Sequence, residues 1–260
     1  MKTPYFYIPL LSEGTRIFRR KLMMLFYAGK NVYCPVCEKS FRAFYGNQAR
    51  GACPYCKSAT RQRLLCLQLN KNIENNISKK TIHVLYFAPD FGVMRWFHKR
   101  SGFSVTTTDL SAPDVDVKSD ITNLVFENNS FDLAICSHVL EHIQDDTAAI
   151  RNLHSVLKPG GSLIVQVPYN RSAQKTDEDL SVVDPHERAR RFGQFDHVRL
   201  YGTDISQRLA APGFEVDVIN LMPQLNKVEI ERLGLWDDTI FVCRKSSIPD
   251  FNTLNNLASS

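Results

Sequence analysis

Short apolar runs alternate with amphipathic stretches along the chain from residue 81 onward. The apolar runs indicate buried strands, and stretches whose apolar residues recur every three or four positions indicate helices. The predicted strands are His83–Phe87, Ser104–Thr108, Phe131–Cys136, Ser162–Val167, Glu215–Leu221 and Thr239–Cys243. The predicted helices between them are Phe91–Lys99, Asp145–Leu157 and Thr203–Ala211. This alternation predicts an α/β fold with a mainly parallel sheet and helices on both of its faces.

The first 80 residues follow a different pattern. Ser12–Lys30 and Thr60–Ile73 have helical periodicity, and an irregular segment that contains four cysteines lies between them. The polar run Asn72–Lys80 indicates a boundary. We predict an amphipathic helix in residues 1–30, a cysteine module with its following helix in residues 31–75, an α/β domain in residues 81–245 and a flexible tail in residues 246–260.

Two C-x2-C pairs lie in the irregular segment, fifteen residues apart. Two residues between paired thiols let one turn direct both sulfurs at one ion, and the loop between the pairs can fold back to complete a tetrahedral site. The spacing predicts a zinc ribbon whose ligands are Cys34, Cys37, Cys53 and Cys56. Because four thiolates leave no open coordination position, we expect a structural zinc; a redox role for the pairs is the alternative.

Charge is distributed unevenly along the chain. Residues 1–80 contain 15 basic and 3 acidic residues, whereas residues 81–260 contain 17 basic and 24 acidic residues. A basic end favours contact with an anionic partner, and the alternative is a solvated surface.

Three further cysteines sit singly in apolar surroundings, which is typical of free thiols in a reducing compartment, and no segment has the pattern of a signal peptide. We therefore expect a cytoplasmic protein.

The α/β domain begins with a strand that runs through a loop into a helix, Val84-Leu-Tyr-Phe-Ala-Pro-Asp-Phe-Gly92, and Asp109 follows the next strand. In Rossmann-like sheets an acid at this position accepts hydrogen bonds from a nucleotide ribose. A single acid after a strand is also common in turns, so the continuation of the sequence matters.

That continuation includes Ser119-Asp-Ile121, the run Asn129-Ser-Phe-Asp-Leu-Ala-Ile-Cys-Ser-His-Val-Leu-Glu-His-Ile143, and Leu157-Lys-Pro-Gly-Gly161. In order and spacing these segments resemble the class I S-adenosylmethionine-dependent methyltransferases, over roughly residues 81–245. The resemblance implies a Rossmann-like fold that binds S-adenosylmethionine. The residues that it implies in cofactor binding are Phe87, Ala88, Asp90, Gly92, Asp109, Leu110, Asp120, Ile121 and Ser137, with His138 beside the methyl group.

The first loop departs from the family pattern, which opens with an acid and runs Gly-x-Gly-x-Gly. Here Tyr86 stands in the acid position, Ala88 and Asp90 replace two glycines, and Gly92 remains. Loss of a glycine restricts the backbone largely to negative φ and adds bulk beside a ligand. The change also argues against a dinucleotide, whose pyrophosphate requires close approach of a glycine backbone.

Residues 171–199 form a long polar segment after the predicted strand Ser162–Val167, and its length indicates a substrate lid. Methyl transfer to an alcohol or phenol requires positioning of the acceptor and removal of a proton. His197 with Asp196, or His186 with Glu187, could supply the base, and His138 is a further catalytic candidate. Arg188 and Arg199 could bind an acidic acceptor.

Three hypotheses of function follow. The first is a methyltransferase that acts on an oxygen or nitrogen of a small-molecule or glycan-type acceptor, because a long polar lid suits a discrete pocket. The second is an RNA methyltransferase that binds phosphates through its basic zinc-ribbon end. The third is a non-catalytic binding module, which the altered loop would allow. The Ser12–Lys30 helix could contact an anionic membrane peripherally, or it could pack against the protein.

Overall fold

The computed structural model describes residues 22–46, 51–75 and 81–247, which divide into two compact units. The first unit combines the described residues up to Glu74 with Phe91–Trp96 and Met222–Trp236. The second unit contains the remaining described residues, from 75 to 90, 97 to 221 and 237 to 247. Each unit is therefore assembled from segments that are distant in the sequence, and the linear domain boundaries given above stay a prediction.

The first unit contains the cysteine pairs. Its elements are α1 (residues 22–26), β1 (Val32–Cys34), β2 (Lys39–Phe41), α2 (Thr60–Asn75), most of α3 (Phe91–His98), a 3-10 turn (Met222–Gln224) and α7 (Lys227–Leu233). Of the predicted Ser12–Lys30 helix, residues 22–26 are helical, and residues 12–21 lie outside the described residues. The β1–β2 pair is antiparallel, with Cys34 opposite Lys39, so one cysteine of the first pair ends a strand.

The second unit contains a seven-stranded sheet in the order β10-β11-β7-β6-β3-β4-β5. Its strands are β3 (Ile82–Phe87), β4 (Phe103–Asp109), β5 (Val117–Lys118), β6 (Phe131–Ser137), β7 (Leu157–Gln166), β10 (Phe214–Asn220) and β11 (Thr239–Lys245). The five strands from β5 to β7 are parallel to one another, and β11 runs antiparallel to both of its neighbours. The mainly parallel Rossmann-like sheet predicted from the sequence is thus confirmed.

The other elements of this unit are α4 (Asp146–Val156), β8 (Asp177–Glu178), α5 (Pro185–Phe192), β9 (Arg199–Leu200) and α6 (Ile205–Ala210). Local chemistry sets several of their ends. The carboxylate of Asp145 accepts a hydrogen bond from the backbone N–H of Ala148 at the start of α4. Asp184 caps α5 in the same way, with Pro185 in the first turn, and Gly193 in the left-handed conformation ends that helix.

One predicted boundary was wrong in an informative way. The apolar periodicity extended the helix of residues 145–157 through Leu157, but α4 ends at Val156 and Leu157 pairs with Phe131 as the first residue of β7. Regular pairing resumes between Leu133 and Ser162, so Pro159-Gly160-Gly161 lies in an irregular start of the strand. A buried leucine at a helix–strand junction fits either periodicity, and the sequence alone did not distinguish them.

Both faces of the sheet carry buried apolar side chains, as expected for parallel strands. One face contributes to a core with α4 and α6 that includes Leu85, Cys136, Val165 and Phe241. The alternate residues of the same strands, among them Val84, Ile135, Ile164 and Val242, are also buried. Among the described residues, no helix has the length and apolar character needed to span a membrane.

Candidate active site

The carboxyl ends of adjacent parallel strands lie at one edge of the sheet. Phe87 at the end of β3 pairs with Thr108 on one side and with Cys136 on the other. The next residues along these strands, Ala88, Asp109 and Ser137, are therefore brought side by side. Open α/β sheets bind ligands at this edge, and the sheet places three residues there that the sequence predicted for cofactor binding.

The loop after β3 has an unusual conformation. Ala88 adopts φ +45°, the left-handed region that favours glycine, and its backbone N–H donates to the carbonyl of Thr108 at 2.9 Å. Alanine therefore performs the backbone role expected of the first glycine, at a conformational cost. The hydroxyl of buried Tyr86 accepts a 3.2 Å hydrogen bond from the backbone N–H of Asp90, so the residue in the acid position holds the loop.

Gly92, the glycine retained in this loop, lies on α3 in the first unit. A Cβ at this position would approach Val36 Cγ1 to 3.2 Å and the carbonyl oxygen of Cys56 to 3.5 Å. Close packing of α3 against the cysteine module thus accounts for a glycine here. The sequence offered only a ligand-binding reason for this residue.

Two acids of the predicted cofactor site are fixed by their own turns. Asp109 Oδ1 accepts hydrogen bonds from the backbone N–H groups of Ser111 and Ala112, both at 2.8 Å. Asp120 Oδ1 accepts from the N–H of Thr122 at 2.8 Å and from its hydroxyl at 2.7 Å. In each case these hydrogen bonds use one oxygen of the carboxylate and orient the group. Leu110 beside Asp109 is exposed, whereas Ile121 beside Asp120 is buried.

The segment after β6 changes direction sharply at His138. This residue has φ +55°, and its backbone N–H donates to the carbonyl of Gln166 at 2.8 Å, while Ser137 Oγ donates to the Gln166 side-chain oxygen at 3.0 Å. His138 Nδ1 lies 3.1 Å from Glu141 Oε1. Glu141 has no solvent exposure, and the sequence had assigned it no role.

The end of the polar stretch of residues 171–199 contacts the segment that follows β6. The backbone N–H of Val198 donates to the carbonyl of Glu141 at 2.9 Å. Asp196 Oδ2 lies 3.4 Å from His142 Nδ1, and the rings of His142 and His197 meet edge to face with their centroids 4.7 Å apart. Asp196 and His197 thus both contact His142, while His138 contacts Glu141 in the same segment.

His197 is not held by the neighbouring acid that the sequence suggested. Its Nδ1 lies 3.0 Å from the carbonyl oxygen of Phe192, and its ring is 6% exposed. Burial lowers the pKa of His197 and so favours the neutral imidazole. The other suggested pair, His186 with Glu187, lies on exposed α5, where Glu187 binds Arg190 at 2.9 Å.

The polar stretch of residues 171–199 is anchored by a buried arginine. Arg199, 1% exposed, donates to the backbone carbonyls of Leu140, Ile143 and Gln144 and to Glu178 Oε2 at 3.0 Å. Arg208 also binds Glu178, at 2.6 Å. The guanidinium of Arg199 is therefore occupied by the protein itself, and it fixes the segment that follows His138 rather than remaining available to an acidic acceptor.

The four predicted metal ligands form a buried cluster in the first unit. Cys34 Sγ lies 3.7 Å from Cys56 Sγ, and Cys37 Sγ lies 3.6 Å from Cys53 Sγ. A tetrahedral ion with metal–sulfur bonds of about 2.3 Å places its sulfurs about 3.8 Å apart. The geometry of the cluster thus fits a tetrahedral thiolate site, as the spacing predicted.

Comparison with known proteins bears on the activity. A family model described as a methyltransferase domain matches residues 59–218, more than half of the chain. Ubiquinone biosynthesis O-methyltransferase of Coxiella burnetii is 31% identical over 108 residues, which are 36% of this chain and 46% of that protein. Demethylmenaquinone methyltransferase of Staphylococcus epidermidis is 40% identical over 48 residues, 18% of this chain and 20% of that protein.

The chain thus spans less than half the length of these curated relatives. Among solved structures, the [4+2]-cyclase SpnF aligns with a TM-score of 0.51 and 16% identity over 90% of this chain and 95% of that one, which supports the fold alone. The match over residues 59–218 confirms the resemblance to methyltransferases seen in the sequence. The chain belongs to the methyltransferase domain family.

Proposed function

We propose that this protein is an S-adenosylmethionine-dependent methyltransferase that transfers the methyl group of its cofactor to an oxygen atom of a small-molecule or glycan-type acceptor. The alignment of strand ends carries the proposal. Ser137 and Asp109 are the last residues of β6 and β4, and Ala88 and Asp120 come just after β3 and β5; the four strands are consecutive in the sheet. Strands about 4.8 Å apart give a span of about 14 Å across the four, enough for an adenosine joined to an amino acid.

The cofactor has a defined orientation in this proposal. Asp109 accepts hydrogen bonds from the ribose hydroxyls through the oxygen that its own turn leaves available, and Asp120 with Ile121 borders the adenine. Ala88 and Asp90 lie at the amino-acid half, and Ser137 lies at the methyl end. When bound, the cofactor supplies an electrophilic methyl group on a sulfonium; the residues of the chain orient the acceptor and remove its proton.

His138 is the proposed base. Glu141 Oε1 lies 3.1 Å from His138 Nδ1, an arrangement that favours the proton on Nδ1 and a lone pair on Nε2. Among the described residues Nε2 has neither solvent contact nor a hydrogen-bond partner. An acceptor hydroxyl would supply that partner and transfer its proton to Nε2 as the oxygen–methyl bond forms. The partial match to a relative named as an O-methyltransferase supports oxygen as the acceptor atom.

Calorimetric titration with S-adenosylmethionine and S-adenosylhomocysteine tests the cofactor site. Asp109→Asn keeps an oxygen for the turn but removes the charge, and we expect its Kd to rise at least about tenfold, since a hydrogen bond to a charged group contributes about 1.5–3 kcal/mol. Asp114→Asn, at an exposed acid five residues away, is the matched control. An unchanged Kd in Asp109→Asn would contradict the assignment.

A second test addresses the acceptor. Transfer of labelled methyl to a panel of phenols, sugar alcohols and amines would identify the acceptor atom, and His138→Gln should lower kcat about 10²–10⁴-fold with cofactor affinity retained. Labelling of amines alone would refute oxygen transfer. Full activity of His138→Gln would refute the base.

We further propose that the four cysteines bind a structural zinc. The sulfur distances fit the ion, and Ser58 Oγ lies 3.2 Å from both Cys34 Sγ and Cys56 Sγ. Arg63 is buried in the same unit; burial lowers its pKa, and the thiolates oppose this by favouring the cation, which offsets their negative charge. One equivalent of zinc in the purified protein, lost in Cys37→Ser, is the expected result. A zinc-free, fully folded protein would contradict it.

A further inference from the structure

A second set of metal-ligating side chains lies in the other unit, outside the four-cysteine cluster. Glu141, His142 and His197 each offer one ligand atom, and these atoms all lie within 4.8 Å of one another. The first two follow β6, and the third comes from the polar stretch of residues 171–199, more than 50 positions later. The backbone hydrogen bond from Val198 to Glu141 holds the two segments in register.

The buried carboxylate of Glu141 would be stabilised by a cationic partner. Its side chain has no solvent exposure, and Oε1 is engaged by His138. Its second oxygen, Oε2, is buried and has no hydrogen-bond partner among the described residues. A carboxylate removed from water is tolerated when it is paired or coordinates a metal ion. An unpartnered buried oxygen beside two imidazoles is therefore an observation that points to a ligand.

The His197 imidazole is hydrogen bonded as metal ligands usually are, and the His142 imidazole has a carboxylate beside it. His142 Nδ1 lies 3.4 Å from the Asp196 carboxylate, and His197 Nδ1 lies 3.0 Å from the Phe192 carbonyl oxygen. Histidines that bind metals characteristically donate one ring N–H to a carboxylate or a backbone carbonyl, which leaves the lone pair of the other nitrogen for the ion. Here both acceptors are present, so Nε2 of each ring is the nitrogen left for coordination.

We propose that Glu141, His142 and His197 bind a divalent transition-metal ion such as Zn²⁺, Mn²⁺ or Fe²⁺. Two imidazoles and one carboxylate form a donor set that these ions favour over Mg²⁺ or Ca²⁺, and three protein ligands leave coordination positions open. Metal–ligand bonds of about 2.1 Å separate ligand atoms by about 3.0–4.2 Å. Side-chain rotations that draw the widest pair together by roughly half an ångström would complete the site.

The site also deepens the proposed function, on which this part of the inference rests. Ser137 and His138 immediately precede this cluster, so an acceptor at the methyl end of the cofactor would lie next to the ion. An acceptor oxygen in an open position would have its pKa lowered by the metal, which eases loss of the proton to His138. The acceptor class favoured is therefore one with a hydroxyl that can coordinate a metal, such as a phenol.

Titration with Co²⁺, followed by visible absorption, tests binding without any acceptor. The zinc of the cysteine cluster is left in place, and its replacement would be recognised by thiolate charge-transfer bands that a nitrogen and oxygen site lacks. We expect one equivalent of Co²⁺ to give weak d–d bands only. Glu141→Gln and His197→Gln should each weaken binding at least tenfold, whereas His186→Gln, at an exposed histidine of α5, should match the wild type.

Several outcomes decide the matter. Failure of the wild type to bind one equivalent of Co²⁺ with weak d–d bands, or equal binding in all three variants, would overturn the site. Should Glu141→Gln fail to fold, His142→Gln, at a side chain that is 31% exposed, provides the same test. Calorimetry with S-adenosylmethionine on the same sample separates the two proposals: cofactor binding without Co²⁺ binding removes only the metal site, and Co²⁺ binding without cofactor binding removes only the proposed cofactor assignment.

Discussion

Replacement of Arg199 by methionine should be one of the most destabilising changes in the second unit. Methionine keeps much of the side-chain volume but removes every donor of the guanidinium. The change removes a donor from the carbonyls of Leu140, Ile143 and Gln144, the last at 2.9 Å from Nη2, and it leaves Glu178 with one arginine instead of two. Arg199 Nε also lies 3.7 Å from the buried carboxylate of Asp146, and removal of one member of a buried charged pair costs about 3–5 kcal/mol.

Arg208→Met is the matched control. Arg208 binds Glu178 at 2.6 Å and Asp146 at 3.1 Å, but its side chain is 25% exposed, whereas that of Arg199 is 2% exposed. Water can replace part of what the control loses, so we expect about 1 kcal/mol for Arg208→Met. Urea unfolding followed by circular dichroism gives both values from the change in midpoint. A loss in Arg199→Met no larger than in Arg208→Met would refute the inference that Arg199 anchors the segment after His138.

Four further predictions concern other parts of the chain. Gly234→Ala should destabilise the first unit by about 3 kcal/mol or more in urea unfolding, because φ is +59° and a Cβ would overlap the ring of Phe44. Ala88→Gly should raise the free energy of unfolding by about 0.5 kcal/mol, since relief of the left-handed strain exceeds the added chain entropy; destabilisation would contradict this. Hydrogen bonding from Arg208 lowers the pKa of Glu178, so its contribution to stability is present above the unfolded pKa of about 4.3 and is lost as the pH falls through the folded value. Glu178→Gln should therefore be less stable than the wild type at pH 7, and urea midpoints measured down to pH 3 should converge. Removal of zinc with a strong chelator should lower the melting temperature, and Cys37→Ser should show the same loss without chelator.

Much of the fold follows from local pattern. The apolar runs predicted the main strands to within a few residues, because a buried parallel strand is apolar on both faces and turn residues bound it. The cysteine spacing predicted the cluster, since the requirement for two thiols per turn is itself local. The strand order then placed Ala88, Asp109 and Ser137 at one edge, as the family resemblance implied.

What the sequence missed depends on contacts between distant residues. Nothing near Gly234 indicates that its carbonyl oxygen accepts a 2.6 Å hydrogen bond from Arg63. The pairing of Asp196 with His142, rather than with the adjacent His197, follows from how two segments meet. Arginine is a residue type that often binds acidic substrates. Only the burial of Arg199 shows that its donors are already bonded to the protein itself. Periodicity carries no information on such pairings.

The first unit is built from segments that are distant in the sequence, and this affects the order in which its parts can fold. The cysteine pairs leave the ribosome early, but Thr60 and Arg63 hydrogen bond to Gly234, which is synthesised some 170 residues later. At typical rates of translation this delay lasts roughly 10–30 s. During that interval the cysteine segment exists without the part of its own core that Met222–Trp236 supplies. The cysteine segment is thus synthesised well before the residues that complete its fold.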